Sequence, residues 1–215
     1  PYHTPVLGVN LGHLGFLTAI QPDAFPDALE RVLVGEFWLD RRITLEARVL
    51  RGGEPGAAYI ALNDAVLHKG GFARVVRIAM HLGEEDEEVA TFSGDGIILS
   101  TPTGSTAYSL SAGGPIVAPA VDCILATPIC PHTLAVRPMV VSASSVIRVR
   151  VLSPSEEMIL TLDGQEGALL QPGDEVVVRR GQASVPLVRF PGQSFVSTLR
   201  RKLHWGIGRG EGATG

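Results

Sequence analysis

Residues Phe92–Gly114 read FSGDGIILSTPTGSTAYSLSAGG. An acid stands between two glycines (Gly94-Asp95-Gly96), and an apolar strand follows over Ile97–Leu99. Pro102, Thr103, Gly104, Ser105 and Thr106 then lead into a short helix predicted over Ser105–Ala112, which Gly113-Gly114 ends. Glycines allow a tight turn and a close approach of backbone to a ligand. Hydroxyls and unpaired N–H groups at the start of a helix suit a phosphate-bearing ligand. A carboxylate such as Asp95 suits ribose hydroxyls or an amide and repels phosphate, while Tyr108 offers a ring face and a polar OH. A Ser/Thr-rich cap after a strand is also common in proteins without a ligand there. The segment is neither a Walker loop, since the terminal Lys-Ser/Thr is absent, nor the dinucleotide-fold GxGxxG.

Around this segment the pattern is mostly that of strands. Ile43, Leu45, Ala47 and Val49 alternate with polar residues, as do Val76, Ile78, Met80 and Leu82. The acidic run Glu84–Glu88 between strands predicts a solvated hairpin turn. Further strand character is read at Val140-Val141, Ile147–Val151, Ile159–Leu162, Glu175–Arg179 and Val185–Phe190, with turns at Asp163-Gly164, Gln171–Asp174 and Pro191-Gly192. Closely spaced strands of this kind predict an all-β, sandwich-like domain over residues 38–192. The opening is different: Val6–Asn10 reads as a short buried strand, and a helix is expected over Asp23–Val34 with Phe25, Leu29 and Leu33 sharing one face. Residues 1–37 therefore read as the end of an α/β unit, and 193–215 as a tail returning to it, frayed over Gly206–Gly215. The chain opens PYHTPVLGVN with no initiator methionine, which reads as a fragment start.

Composition narrows the function classes. The 215 residues carry a net charge of -4, and no basic stripe follows any helix or strand, which argues against a nucleic-acid partner. No apolar run reaches the ~20 residues of a membrane helix. Two cysteines, Cys123 and Cys130, do not suggest a disulfide scaffold, and a reducing cytoplasm is the simple reading. Their spacing with His132 matches no common zinc pattern, so no metal site is read from them. No GxSxG elbow supports hydrolase chemistry. Asn63-Asp64, polar residues in the apolar stretch Tyr59–Leu67, are either a strand-end Asx pair or ligand-facing groups. Asp163-Gly164-Gln165 is ordinary hairpin-turn chemistry on its own terms.

At this point the sequence resembles the NAD kinase family. The resemblance is carried by PVLGVNLGHLGFLT (Pro5–Thr18), LNDAVL (Leu62–Leu67), SGDGIILSTPTGSTAYSLSAGGPIVAP (Ser93–Pro119) and PICPHTLAVRPMVV (Pro128–Val141), with Asp163–Gln165 a weaker fifth block. It implies an N-terminal α/β nucleotide-binding domain, of which 1–37 is the C-terminal part, and a β-sandwich-like NAD-binding and oligomerisation domain. It implies phosphorylation of the adenosine ribose 2′-hydroxyl of NAD by ATP with Mg²⁺ or another divalent cation, in a homodimer or homotetramer; some members also accept inorganic polyphosphate. By match to the family's motifs, Asn63 and Asp64 hold NAD hydroxyls, and Asp95 lies near the nicotinamide portion. Thr106, Ala107, Tyr108, Ser109, Leu110 and Ser111 line the dinucleotide pocket, with Gln165 a late pocket residue, while His132 and Arg137 are read as structural. The family's Gly-Gly-Asp-Gly turn, which bears its proposed general base, is not in this sequence and is expected upstream of Pro1. An inactive binding domain, a related lipid kinase and a hydrolase acting on the 2′-phosphate are the competing classes.

Overall fold

The structure, a computed structural model, describes residues 4–12, 15–71, 75–153 and 158–203. Two compact units divide them: one from Arg42 to Val185, the other from Thr4 to Arg41 together with the described residues from Pro186 on.

The strands, in chain order, are β1 (Trp38–Arg51), β2 (Glu54–Ala61), β3 (Asp64–Lys69), β4 (Val76–Leu82), β5 (Glu87–Gly94) and β6 (Gly96–Ser100). They continue with β7 (Cys123–Ile129), β8 (Met139–Ser142), β9 (Ile147–Val151), β10 (Met158–Leu162), β11 (Gln165–Leu170) and β12 (Glu175–Arg189). They form two 6-stranded sheets, ordered β2-β1-β12-β9-β4-β5 and β11-β10-β3-β6-β7-β8. The inward residues of both interdigitate in one core. Leu45, Ile78, Val149 and Val178 come from the first sheet, and Leu67, Ile97, Ile124 and Leu160 from the second. Alternation along β1 puts Leu45, Ala47 and Val49 inside, as its sequence predicts.

Strands β6 and β7 of the second sheet are buried on both faces. Every residue of β6 and of β7 is buried, because Ala112 of the segment after β6 packs over Val66, Ile98 and Ile129 on the outer face. Uniform burial explains why β7 lacks the alternation that marks a strand in sequence. Residues 175–179 and 185–190, read separately from the sequence, belong almost entirely to one continuous strand, β12. Gly181 permits the continuity: a Cβ there would stand 2.3 Å from the Thr44 hydroxyl oxygen. The acidic run does form the β4–β5 turn, with Gly83 and Asp86 in the left-handed region at φ 81 and 57. Glu84 and Glu88 are exposed, and Asp86 pairs with Arg150.

In the smaller unit the expected strand Val6–Asn10 is reduced to isolated parallel bridges, Val6 to Leu187 and Val9 to Ile20. A 3-10 turn over Pro22–Ala24 opens into helix α1 (Phe25–Leu33), with Pro26 in its first turn. Ala28 and Val32 pack with Val188, Phe190 and Ile20, while Phe25 and Leu29 are each 44% exposed and Leu33 77%. Two registers of spacing four compete on this helix, and the smaller side chains face the neighbours that are there.

After β6 the chain does not form one helix over Ser105–Ala112. A 3-10 turn at Gly104–Thr106 is followed by a break at Ala107 (φ -104, ψ -129) and the single-turn helix α2 (Tyr108–Ser111). The last described helix, α3 (Phe195–Leu203), brings the Phe195 ring to 6.0 Å from that of Phe16. The expected fraying of Gly206–Gly215 lies outside the described residues. Cys123 is buried, Cys130 is exposed, and both are free thiols. Among the described residues no helix is long and apolar enough to cross a membrane.

Candidate functional site

The chain passes from one sheet to the other between Ala61, the end of β2, and Asp64, the start of β3. Backbone groups at such a corner have left one ladder before joining the next and need other partners. The carbonyls find Thr101. Its N–H donates to Asn63 O at 2.9 Å, and its hydroxyl donates to Leu62 O at 2.7 Å. The amides find Asp163. Its carboxylate accepts the N–H of Leu62 at 2.7 Å, of Asn63 at 2.7 Å and of Asp64 at 3.0 Å. Gly104 packs flat against the same corner, where a Cβ would lie 2.1 Å from Asn63 O.

The corner forms one wall of a cavity of about 660 Å³ on the outer face of the second sheet. Of the residues singled out from sequence, Asn63, Asp64, Asp95, Ala107 and Tyr108 line it. The others do not. Ser109 is fully buried beneath, its hydroxyl 2.9 Å from that of Thr127. The Thr106 hydroxyl donates to Thr103 O at 3.2 Å. Leu110 is half-buried, Ser111 is exposed, and Gln165 stands exposed at the start of β11. The remaining hydroxyls of the segment knit the loop together. Thr103 Oγ1 accepts from Arg42 Nη1 at 3.1 Å, and Ser105 Oγ donates to Pro102 O at 2.7 Å while accepting the Val117 N–H at 3.0 Å.

The glycines about Asp95 also have a structural duty where close approach to a ligand was expected. A Cβ at Gly94 would lie 2.8 Å from Ile129 O, and one at Gly96 only 2.1 Å from Leu67 O. These glycines let β6 lie tightly between its neighbours and turn Asp95 outward at the β5–β6 bend. Its carboxylate meets Lys69 Nζ at 2.8 Å, with both side chains about one-third exposed at the cavity wall. His68, Lys69, Thr161 and Asp163 are among the other lining residues. Lys69 carried no recognisable signal, and Asp163 only a hairpin turn and a place in the weakest block of the family resemblance.

Asp64 is only 5% exposed. Burial first, and the neighbouring Asp163 charge second, push its carboxyl up to about 6. Perturbed carboxyls in a concave site mark functional candidates. Tyr108 is 47% exposed, leaving a ring face open to a flat ligand. A second cavity of about 600 Å³, in the smaller unit, is lined by Thr18, Arg189, Arg200 and Arg201 among others and includes none of the sequence-predicted site residues. Among the described residues no three His, Cys, Asp or Glu side chains converge as a metal cluster, so they form no ready-made cage for a divalent ion.

Comparison with known proteins identifies the setting of this cavity. Residues 62–190 match the ATP-NAD kinase C-terminal domain, and residues 1–37 match the ATP-NAD kinase N-terminal domain. The chain belongs to the NAD kinase family. It is 50% identical over 203 residues to the NAD kinase of Symbiobacterium thermophilum, covering 94% of this chain and 71% of that protein. It is 46% identical over 207 residues to the NAD kinase of Heliobacterium modesticaldum, covering 96% of this chain and 72% of that one. Among solved structures, yeast NADH kinase complexed with NADH superposes with a TM-score of 0.88 at 30% identity, over 98% of this chain and 62% of that one. An NAD kinase from Archaeoglobus fulgidus in complex with ATP gives 0.74 at 27% identity, over 93% and 74%. The chain thus spans about seven-tenths of the family members it matches in sequence, and 62% of the yeast enzyme.

Proposed function

We propose that the protein of which these residues are part phosphorylates the adenosine ribose 2′-hydroxyl of NAD with ATP, giving NADP, and that the Asn63–Tyr108 cavity holds the dinucleotide. The observation that carries this reading is the convergence on one cavity of Asn63, Asp64, Asp95 and Tyr108, contributed by separate sequence blocks, in a chain of this family. Asn63 and Asp64 are placed to accept and donate to ribose hydroxyls. Tyr108 supplies a face for a base or the nicotinamide, and its neighbour Ala107 leaves room beside it. Asp95, tied to Lys69, is a binding group. We assign Thr106, Ser109, Leu110 and Ser111 to the support of that wall and Gln165 to its rim.

In the reaction, the 2′-oxygen attacks the γ-phosphorus of ATP, the bond to the β-γ bridging oxygen breaks, and ADP leaves. The 2′-hydroxyl proton goes to a general base, which we place in a Gly-Gly-Asp-Gly turn outside these residues. The divalent cation enters with ATP as part of the substrate. The cavity's contribution is then to hold the 2′-hydroxyl in place for transfer, a positioning effect. Ile60, Val140 and Leu169, exposed apolar residues on β2, β8 and β11 at sheet edges, support a homodimer or homotetramer. We place the reaction in the cytoplasm.

The test is NADP formation from NAD, ATP and Mg²⁺, followed with an NADP-specific dehydrogenase. The full-length protein is expected to turn over, with the 215-residue chain slower by at least about a hundredfold for want of the base. Phosphorylation of a lipid in place of NAD, or release of phosphate from NADP without its synthesis, would overturn the assignment. Equal turnover by the 215-residue chain would place the base within it.

A further inference from the structure

Asp163 belongs to a turn that sequence patterning explains without reference to any site. Asp163 and Gly164 both lie in the left-handed region, at φ 51 and 78, as a tight hairpin between β10 and β11 requires. That conformation accounts for the residue types but not for where the carboxylate goes. It reaches about a hundred residues back along the chain and collects three consecutive amide N–H groups, those of Leu62, Asn63 and Asp64. The connection is mutual, since the Asp163 N–H donates to Asp64 O at 3.0 Å. On the opposite side, Thr101 takes the corner's carbonyls and Gly104 leaves no space for it to shift. The corner is therefore held by its amides from one turn and by its carbonyls from another. Asp163 also lines the cavity itself, beside Asn63 and Asp64.

We propose that Asp163 is a positioning residue for the dinucleotide pocket, which by clamping the Leu62–Asp64 amides fixes where the Asn63 and Asp64 side chains meet the ribose. The inference rests on the reading of the cavity as the NAD site and adds to it a residue that never needs to touch the reacting atoms. A turn needs only Asp or Asn before glycine; three convergent amides need an oxygen-only acceptor. The change Asp163→Asn would keep the left-handed turn and one carbonyl oxygen but would point an NH₂ at the Leu62 or Asn63–Asp64 amides, so the corner would be held on one flank only. Asp163 has a second, electrostatic effect. The charged and titratable groups that line the cavity with Asp64 are Asp163 on the β10–β11 turn, His68 and Lys69 at the end of β3, Asp95 at the β5–β6 bend and the Tyr108 phenol on α2. Lys69 is paired with Asp95, and Asp163 is the group whose charge adds to burial in holding the Asp64 proton. Removing that charge lets Asp64 ionise at lower pH.

The experiment compares the unaltered full-length protein with Asp163→Asn and with Asp163→Gly, which keeps the backbone relaxed and removes the acceptor. Initial rates are taken against NAD and against ATP from pH 5 to pH 8. Both variants are expected to raise KM for NAD about tenfold, equivalent to about 1.4 kcal/mol, and to leave KM for ATP within about twofold, well inside one ordinary hydrogen bond. In the unaltered protein NAD affinity is expected to fall as pH drops through about 6, where Asp64 takes up its proton. In Asp163→Asn that limb moves to lower pH, a change that a purely turn-forming role would not produce. If the unaltered protein makes NADP while the variants show the same KM for NAD and an unmoved limb, the inference fails alone. If Asp163→Asn does not fold, Asp163→Gly with an unchanged KM for NAD, or an unaltered protein with no limb near pH 6, overturns it equally. An unaltered protein that makes no NADP overturns the underlying reading and this inference with it.

Discussion

Replacing Asp64 with asparagine should make the protein more stable at neutral pH while weakening its hold on NAD. The carboxyl is 5% exposed and titrates at about 6 against an ordinary 3.8, so its ionised form is disfavoured in the folded state. A shift of about two units at 1.36 kcal/mol each gives an upper limit of about 3 kcal/mol. The sign follows from the direction of the shift. The folded pKa is raised, so this residue's contribution to stability is fully present below about 4, is lost as pH rises to about 6, and is flat beyond. An asparagine side chain has nearly the same shape and no charge to bury. Urea unfolding at pH 7.5 should therefore show the Asp64→Asn protein more stable by about 1 to 3 kcal/mol, and the advantage should shrink toward zero as pH approaches 4. The same variant should raise KM for NAD, because an amide replaces the acceptor-only carboxylate. Loss of stability at pH 7.5, or a gain of the same size at pH 4.5 and 7.5, would refute the reasoning.

Other outcomes follow from the same geometry. Gly104→Ala, whose Cβ would lie 2.1 Å from Asn63 O, should cost about 3 kcal/mol or more in thermal or urea unfolding and abolish NAD binding in calorimetry. Ser109→Ala leaves the buried Thr127 hydroxyl without its 2.9 Å partner and should cost about 1 to 2 kcal/mol in urea unfolding, with kcat little changed. Asp174 is 2% exposed; although burial alone would raise its carboxyl, bonds from Arg51 and the Gln171 amide hold it below the usual range. Its stabilising contribution is thus present at neutral pH and lost in acid, and Asp174→Ala should cost about 2 kcal/mol at pH 7 but less at pH 3 by urea unfolding.

The larger unit was legible wherever one face of a strand meets water. Leu45, Ala47 and Val49 alternate because the residues between them do not enter the core, and that pattern names β1 unaided. β7 has no such contrast: Cys123–Ile129 is buried on both faces, so periodicity gives nothing to read. Helix α1 leaves its covered register open for a different reason. Phe25, Leu29 and Leu33 are its largest apolar side chains, but the neighbours within its unit meet Ala28 and Val32, and size alone does not tell which register is covered. In the site, Asn63, Asp64, Asp95 and Tyr108 stood out because each breaks the chemistry of its surroundings. Asp163 did not, since its turn already explained it, and the bonds it makes about a hundred residues away have no trace in local sequence. Lys69 is one lysine at a strand end until Asp95 is seen 2.8 Å away.

The most direct test of the dinucleotide site is the pair of KM values for the full-length protein carrying Asn63→Ala. This side chain lines the cavity, and under the proposed placement of NAD its removal deletes contacts to the ribose without adding charge or bulk. KM for NAD should rise at least about tenfold, the cost of a hydrogen-bonding group lost from a bound ligand, while KM for ATP stays within about twofold. An unchanged KM for NAD, or a rise confined to ATP, would contradict the placing of the dinucleotide in this cavity.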